Sequence, residues 1–217
     1  MTPERYHKIR QTLERRQPDL TLISDQVQKG RNLAAMRRTC DAFAVGEIHA
    51  AVDTEQPQRR FAGISAGTHK RVRLVRHNSI EEAVSEVRGQ GMRVVAADLV
   101  EDAVDYRQYD FTKPVAILMG SEELGVSQQG RDLADDFVCI PMLGLVESLN
   151  VSVAFALILA EACRQRSEKG MFDLPRLPAE EIDRLTFEWG YPRLKNYYLG
   201  KNLSYPALDS EGQIIDQ

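Results

Sequence analysis

At 217 residues, 43% hydrophobic and 28% charged, the chain is long enough to bury one sizeable core with extensions and is crowded for two full domains. The polar start MTPERYHKIR and the absence of a long apolar run argue against a secretory signal or a membrane span, so a soluble cytoplasmic protein is expected. Three scattered cysteines, Cys40, Cys139 and Cys163, argue against a disulfide framework or a zinc site, and Cys139 and Cys163 lie in apolar runs that read as core. The net charge of −4 hides an asymmetry, because residues 1–40 hold nine basic side chains against four acidic ones. A local positive field of that kind suits a polyanion better than the overall sum suggests.

In chain order, Thr2-Pro3 reads as a cap and a proline at the first helical position. Tyr6, Ile9 and Leu13 recur at spacings of three and four, which predicts an amphipathic helix over 3–16 whose other face carries Arg5, Lys8 and Arg15. Gln17-Pro18 ends it, and Leu20 to Ile23 reads as a short strand. The loop VQKGRN opens a helix from about Asn32 to Val45, and Glu47 to Val52 is strand-like. Within the polar stretch that follows, GISAG (Gly63 to Gly67) matches the G-x-S-x-G pattern. It lacks the strand before and the helix after that a nucleophile elbow needs, so it reads as a chance match. HKRVRLVRH, His69 to His77, forms a second basic cluster around a short strand at Val72 to Val75. Ser79 and Glu82 make a capping box for a helix that stops at Gly91. Arg93 to Ala97, Val115 to Met119 and Phe137 to Ile140 are continuous apolar strands. Val151 to Leu159 is apolar all round and predicts a buried helix with Asn150 as its cap. From about Arg164 the chain turns polar, with one helix near Ala179 to Glu188.

Apolar strands alternating with helices predict an α/β domain with a mostly parallel sheet covered by helices on both faces. Ligands in such sheets sit beyond the carboxyl ends of strands. That rule selects the residues after Ala96, the loop GSEELGVS after Met119 and the loop PMLGLVESLN after Ile140. GSEELG has the end glycines of a phosphate loop without the following Lys-Thr, and no G-x-G-x-x-G occurs, so ordinary ATPase and Rossmann dinucleotide readings lack support.

Three stretches stand in order: RNLAAMRRTCDAFAV, MGSEELGVS and IPMLGLVESLNVSVAFALILAEA. Together they resemble the three motifs of the SpoU branch of the SPOUT methyltransferases, and RRQPDLTL near one end with RPRL-like and EWGYP-like stretches near the other extend the likeness over most of the chain. The resemblance implies a trefoil-knotted α/β fold, a homodimer, S-adenosylmethionine as methyl donor and tRNA rather than DNA as partner. The acceptor would be the 2'-hydroxyl of a D-loop guanosine ribose. It further implies Asn32, Arg38, Glu122, Ser148 and Asn150 as catalytic residues. Ala97, Gly120, Ile140, Met142 and Leu149 would be cofactor contacts made mostly through backbone groups, and no metal is required. The expected organisation is an RNA-binding helix at 1–18, the methyltransferase domain at 19–166 and an extension at 167–217. A ribosomal RNA 2'-O-methyltransferase and a noncatalytic RNA-binding module are the alternatives.

Overall fold

Continuous apolar runs bury both faces of a strand, and the larger part of this chain is built on that pattern. The computed structural model describes residues 1–27, 30–51, 70–122 and 124–215. The chain divides into two units, Pro18–Met171 and a second made of Met1–Gln17 with Phe172–Gln217. GISAG and His69 lie outside the described residues. In chain order the elements are α1 (Pro3–Glu14), β1 (Leu20–Asp25), α2 (Gly30–Ala42), β2 (Glu47–Ala51), β3 (Arg73–His77), α3 (Ile80–Gly89), β4 (Arg93–Ala97), β5 (Val104–Asp105), β6 (Val115–Met119), α4 (Gln128–Leu133), β7 (Asp136–Cys139), α5 (Val151–Glu168), α6 (Ala179–Gly190) and α7 (Pro192–Gly200).

Within the larger unit the described strands form one sheet in the order β3-β2-β1-β6-β4-β7-β5. Every pairing is parallel. On one face Ile23, Val94, Ala96, Ala116 and Leu118 pack with Ala83, Val84 and Val87 of α3 and with Val126. The intervening residues Leu20, Leu22, Val95 and Ile117 are buried as well, so both faces are covered. The expected capping box holds α3, with the Glu82 amide donating to Ser79 Oγ at 3.3 Å. The Glu82 carboxylate accepts the amide of Asn78 rather than that of Ser79, at 2.9 Å.

Two expectations change. The helix after Asn150 is not buried all round: α5 sinks Phe155, Ile158, Leu159 and Ala162 but leaves Val153 48% and Leu157 40% exposed. Its uniform apolarity therefore serves a second, uncovered face. Cys40 and Cys163 are buried and Cys139 is only half-buried, all three being free thiols. Burial pushes the Cys163 thiol up to about 11, as an inert core cysteine requires.

In the smaller unit Ile9 and Leu13 of α1 meet Ile182 of α6, with Leu185 and Trp189 alongside. The terminal amine donates to Tyr191 Oη at 2.6 Å, and the Arg16 guanidinium lies 5.4 Å from the Trp189 ring centroid. Glu188, 8% exposed, gathers Arg184, Lys195 and the Tyr205 hydroxyl. The EWGYP stretch is thus the joint between the two chain ends, which form one unit rather than two separate extensions.

The polar turn of the sequence at Arg164 conceals a core residue. Arg166 is fully buried and donates to the carbonyls of Phe111, Lys113 and Asp19 and, at 2.7 Å, to Asp19 Oδ1. A buried guanidinium is tolerable only when its donors and charge are matched. Asp19→Ala should therefore lower unfolding free energy by about 3–5 kcal/mol, because it strands a buried charge. Arg164→Ala, which removes a half-exposed guanidinium from its pairs with Glu161 and Glu168, should shift the denaturant midpoint much less. Equal midpoints for the two variants would remove Arg166 from the core ledger.

Candidate active site at the carboxyl edge of the sheet

Strands β6, β4 and β7 are neighbours in the sheet although α4 and several loops separate them in the chain. Ala96 pairs with Leu118 and Ala97 with Val138, so the loops that begin at Ala97, Gly120 and Ile140 leave the same edge at the same level. This brings Ala97, Gly120, Ile140 and Met142 to one side of the sheet, as the strand-end rule requires.

The loop after β6 is a tight turn. Ser121 and Gly125 exchange backbone hydrogen bonds at 2.9 and 3.1 Å, and Gly125 has φ +68°. A Cβ on Gly120 would stand 2.0 Å from the Gly125 carbonyl carbon. Backbone contact that close admits only glycine. The turn presents Glu122 toward α2, where Asn32 is 6% exposed. Asn32 Nδ2 donates to Glu122 Oε1, and Asn32 Oδ1 accepts from Asn150 Nδ2 at 3.5 Å. Asn150 in turn caps α5, its Oδ1 accepting from the Ser152 amide at 3.0 Å and the Ser152 hydroxyl at 2.6 Å. One buried amide therefore joins residues of all three motifs.

The remaining site residues lie apart from that network. Arg38 is exposed and bonds neither Asn32 nor Glu122. Six residues along a helix is about 240° of rotation, so Asn32 and Arg38 cannot share a face. Arg31, seven residues before Arg38, does share its face and is exposed too. Ser148 is exposed and Leu149 half-buried. Across Ile140–Leu149 no hydrogen bond forms among the described residues, and Leu143 and Leu145 are fully exposed.

The second basic cluster is largely committed to internal partners. Arg71 forks onto Asp41 at 2.8 and 3.0 Å, and Arg73 pairs with Glu47. His77 is buried, with Nε2 2.9 Å from His49 Nδ1. Burial, with the neighbouring His49, lowers the His77 pKa, so it adds no positive charge at neutral pH. Asp98 and Arg131, joined at 2.6 Å beside the loop after β6, were not singled out in the sequence. The available signal was the position of Asp98 directly after a strand end.

The SpoU rRNA Methylase family model matches residues 19–160, and the C-terminal SpoU rRNA methylase model matches 164–217. The chain is 46% identical to the Escherichia coli K12 tRNA (guanosine(18)-2'-O)-methyltransferase over 99% of its own length and 94% of the relative's. It superposes on the Aquifex aeolicus TrmH/SpoU tRNA modifying enzyme with a TM-score of 0.80 at 38% identity, covering 87% of this chain and 96% of that one. The SpoU methyltransferase AviRb of Streptomyces viridochromogenes, in complex with AdoMet, matches at 29% identity with a TM-score of 0.61 over 71% of this chain and 61% of that one. On the family models and the near full-length identity, the chain belongs to the SpoU methylase family.

Proposed function

We propose that this chain transfers a methyl group from S-adenosylmethionine to the 2'-hydroxyl of guanosine 18 in the D-loop of tRNA. The observation that carries the reading is the near full-length 46% identity with an enzyme of that name. The match to a ribosomal RNA enzyme of Acinetobacter baylyi is lower, 34% over 72% of this chain. The site residues support the same chemistry. Backbone groups along Ile140–Leu149, without partners among the described residues, lie beside the backbone of Ala97 and Gly120 and suit a ligand with a heteroaromatic base. Apolar side chains in the same loop suit its planar faces.

When bound, S-adenosylmethionine supplies a methyl group on a sulfonium, which is already activated for transfer. The protein's task is then alignment and proton management. Asn32, Glu122 and Asn150 hold the motif loops in register, and Ser148 offers a hydroxyl to the ribose. Arg38 is a poor general base because a guanidinium is a delocalised cation with donors and no acceptor. Its exposed guanidinium instead donates to the ribose hydroxyl, lowers that hydroxyl's pKa, and leaves an RNA phosphate to accept the proton. Calorimetry should show S-adenosylmethionine binding to the protein alone. Arg38→Ala should cut single-turnover methylation by on the order of a hundredfold with cofactor affinity nearly unchanged, and Arg38→Lys should rescue poorly. Near-normal turnover in either variant would remove Arg38 from the chemical step.

The working unit in this reading is a homodimer. Val153 and Leu157 on α5, with Leu143, Leu145 and Val146 (63% exposed) on the loop before it, form an apolar surface of the kind that marks a protein contact. Sedimentation should give a dimer at micromolar concentration, and Val153→Glu with Leu157→Glu should give a folded monomer. A fully active wild-type monomer contradicts the assignment.

RNA contact is assigned to α1. Lys8 and Arg15 are exposed, and their side chains have no partner among the described residues. Arg5 is exposed and donates to the Trp189 carbonyl. No described helix is long and apolar enough to cross a membrane, and a tRNA substrate supports a cytoplasmic location. If the three cations meet phosphates, each lost contact should flatten the log–log salt dependence of tRNA binding by about one unit. The triple glutamine variant should show that flattening with cofactor binding intact, and an unaltered slope would exclude α1 from the interface.

A further inference from the structure

The contacts beneath Gly125 take no part in the proposed transfer, yet they connect two of the loops it uses. Arg131 of α4 donates from Nε to Asp98 Oδ2 at 2.6 Å, while Asp98 Oδ1 accepts the Leu99 amide at 2.9 Å. The Asp98 amide donates to the Val138 carbonyl of β7 at 3.0 Å. The aspartate side chain is 12% exposed and the arginine 37%. A Cβ on Gly125 would lie 3.9 Å from Asp98 Oδ1 and 4.0 Å from Arg131 Nη2, so the ion pair flanks the turn after β6 on the side that a residue larger than glycine would fill. The other end of α4 is fixed as well. Ser127 Oγ accepts the Gly130 amide at 3.0 Å, and the Ser127 amide donates to buried Asp25 at 2.8 Å. Helix α4 and its cap thus tie the end of β1 to the loop after β4.

We propose that Asp98 and Arg131 are positioning residues for the cofactor: the pair sets the separation between the loop that follows Ala97 and the turn that carries Gly120. The inference rests on the methyltransferase reading, in which both loops meet S-adenosylmethionine. Loops that bind through backbone groups gain affinity when their geometry is fixed before the ligand arrives. A pair with one side chain more than a third exposed adds little to global stability. Its loss should therefore be felt in cofactor affinity before it is felt in unfolding.

The test is calorimetric titration with S-adenosylmethionine, run beside steady-state methylation of tRNA. Arg131→Gln and Asp98→Asn should each weaken cofactor affinity by on the order of tenfold. KM for the cofactor should rise in parallel while kcat at saturation stays within about twofold of wild type. Arg131→Lys, which restores a charge beside Asp98, should recover part of the affinity. Arg88→Gln serves as the structural control, because Arg88 bonds the Leu133 carbonyl and Asp135 at 2.8 Å, beyond the turn. That variant should bind the cofactor as wild type does. Wild-type affinity in both Arg131→Gln and Asp98→Asn overturns the proposal, as does an equal loss in Arg88→Gln. Absence of binding by the wild-type protein itself would instead overturn the methyltransferase reading.

Discussion

The site depends on the buried side chain of Asn32, which donates to Glu122 and accepts from Asn150. A primary amide is suited to this position because it carries a donor and an acceptor on one planar group, so it can join an acidic residue on one side to another amide on the other. A carboxylate there would face Glu122 with like charge, and an apolar residue would leave Glu122 and Asn150 without the bonds that join them. Through Asn150 the same network reaches the first turn of α5, where the helix amides would otherwise lack acceptors. Capping and loop assembly are therefore one set of bonds, and the Ile140–Leu149 loop is fixed at its far end although it makes no bonds of its own among the described residues.

That network can form only because of the sheet. Parallel strands send their carboxyl ends to one edge, and the order β6-β4-β7 makes neighbours of segments that are distant in sequence. The polar groups that bridge the loops stand on small local features. These are a glycine that lets Gly120 and Gly125 touch backbone to backbone, and an aspartate one residue beyond β4. At the opposite end of the sheet's strands, Arg166 and Asp19 close the core with a matched charge. The molecule thus uses buried polar groups twice, once to join the core and once to assemble the site.

Much of this was legible in the sequence where local chemistry decides structure. Arg93–Ala97 and Val115–Met119 are strands to the residue, and Ser79 and Asn150 cap the helices expected of them. The two-residue β5, the six-residue α4 and α7, which opens at Pro192, were not read. The first two are too short for a period to show, and in α7 no residue is buried. The paired arginines of HKRVRLVRH could not be told from a free basic patch, because Asp41 and Glu47 lie remote in sequence. Arg166 was hidden for the same reason. The candidate site residues come from the resemblance alone, whereas the bond that joins Asn32 to Glu122 is a tertiary fact with no local signature.

The contrast between Asn32 and Arg38 follows from where each group's partner resides. Asn32 completes its bonds inside the protein, so it is buried and its geometry is set before any ligand arrives. Arg38 sits on the other side of α2, exposed, and its proposed partners are a ribose and a phosphate. A guanidinium that must meet RNA gains from staying hydrated and unpaired until the substrate is present, since an internal carboxylate would compete for its fork. Arg31 on the same face extends that positive surface by one residue. In the proposed division the protein fixes its cofactor side through the buried amide of Asn32 and leaves its substrate side to be completed by the RNA, which makes the two sides separable by mutation.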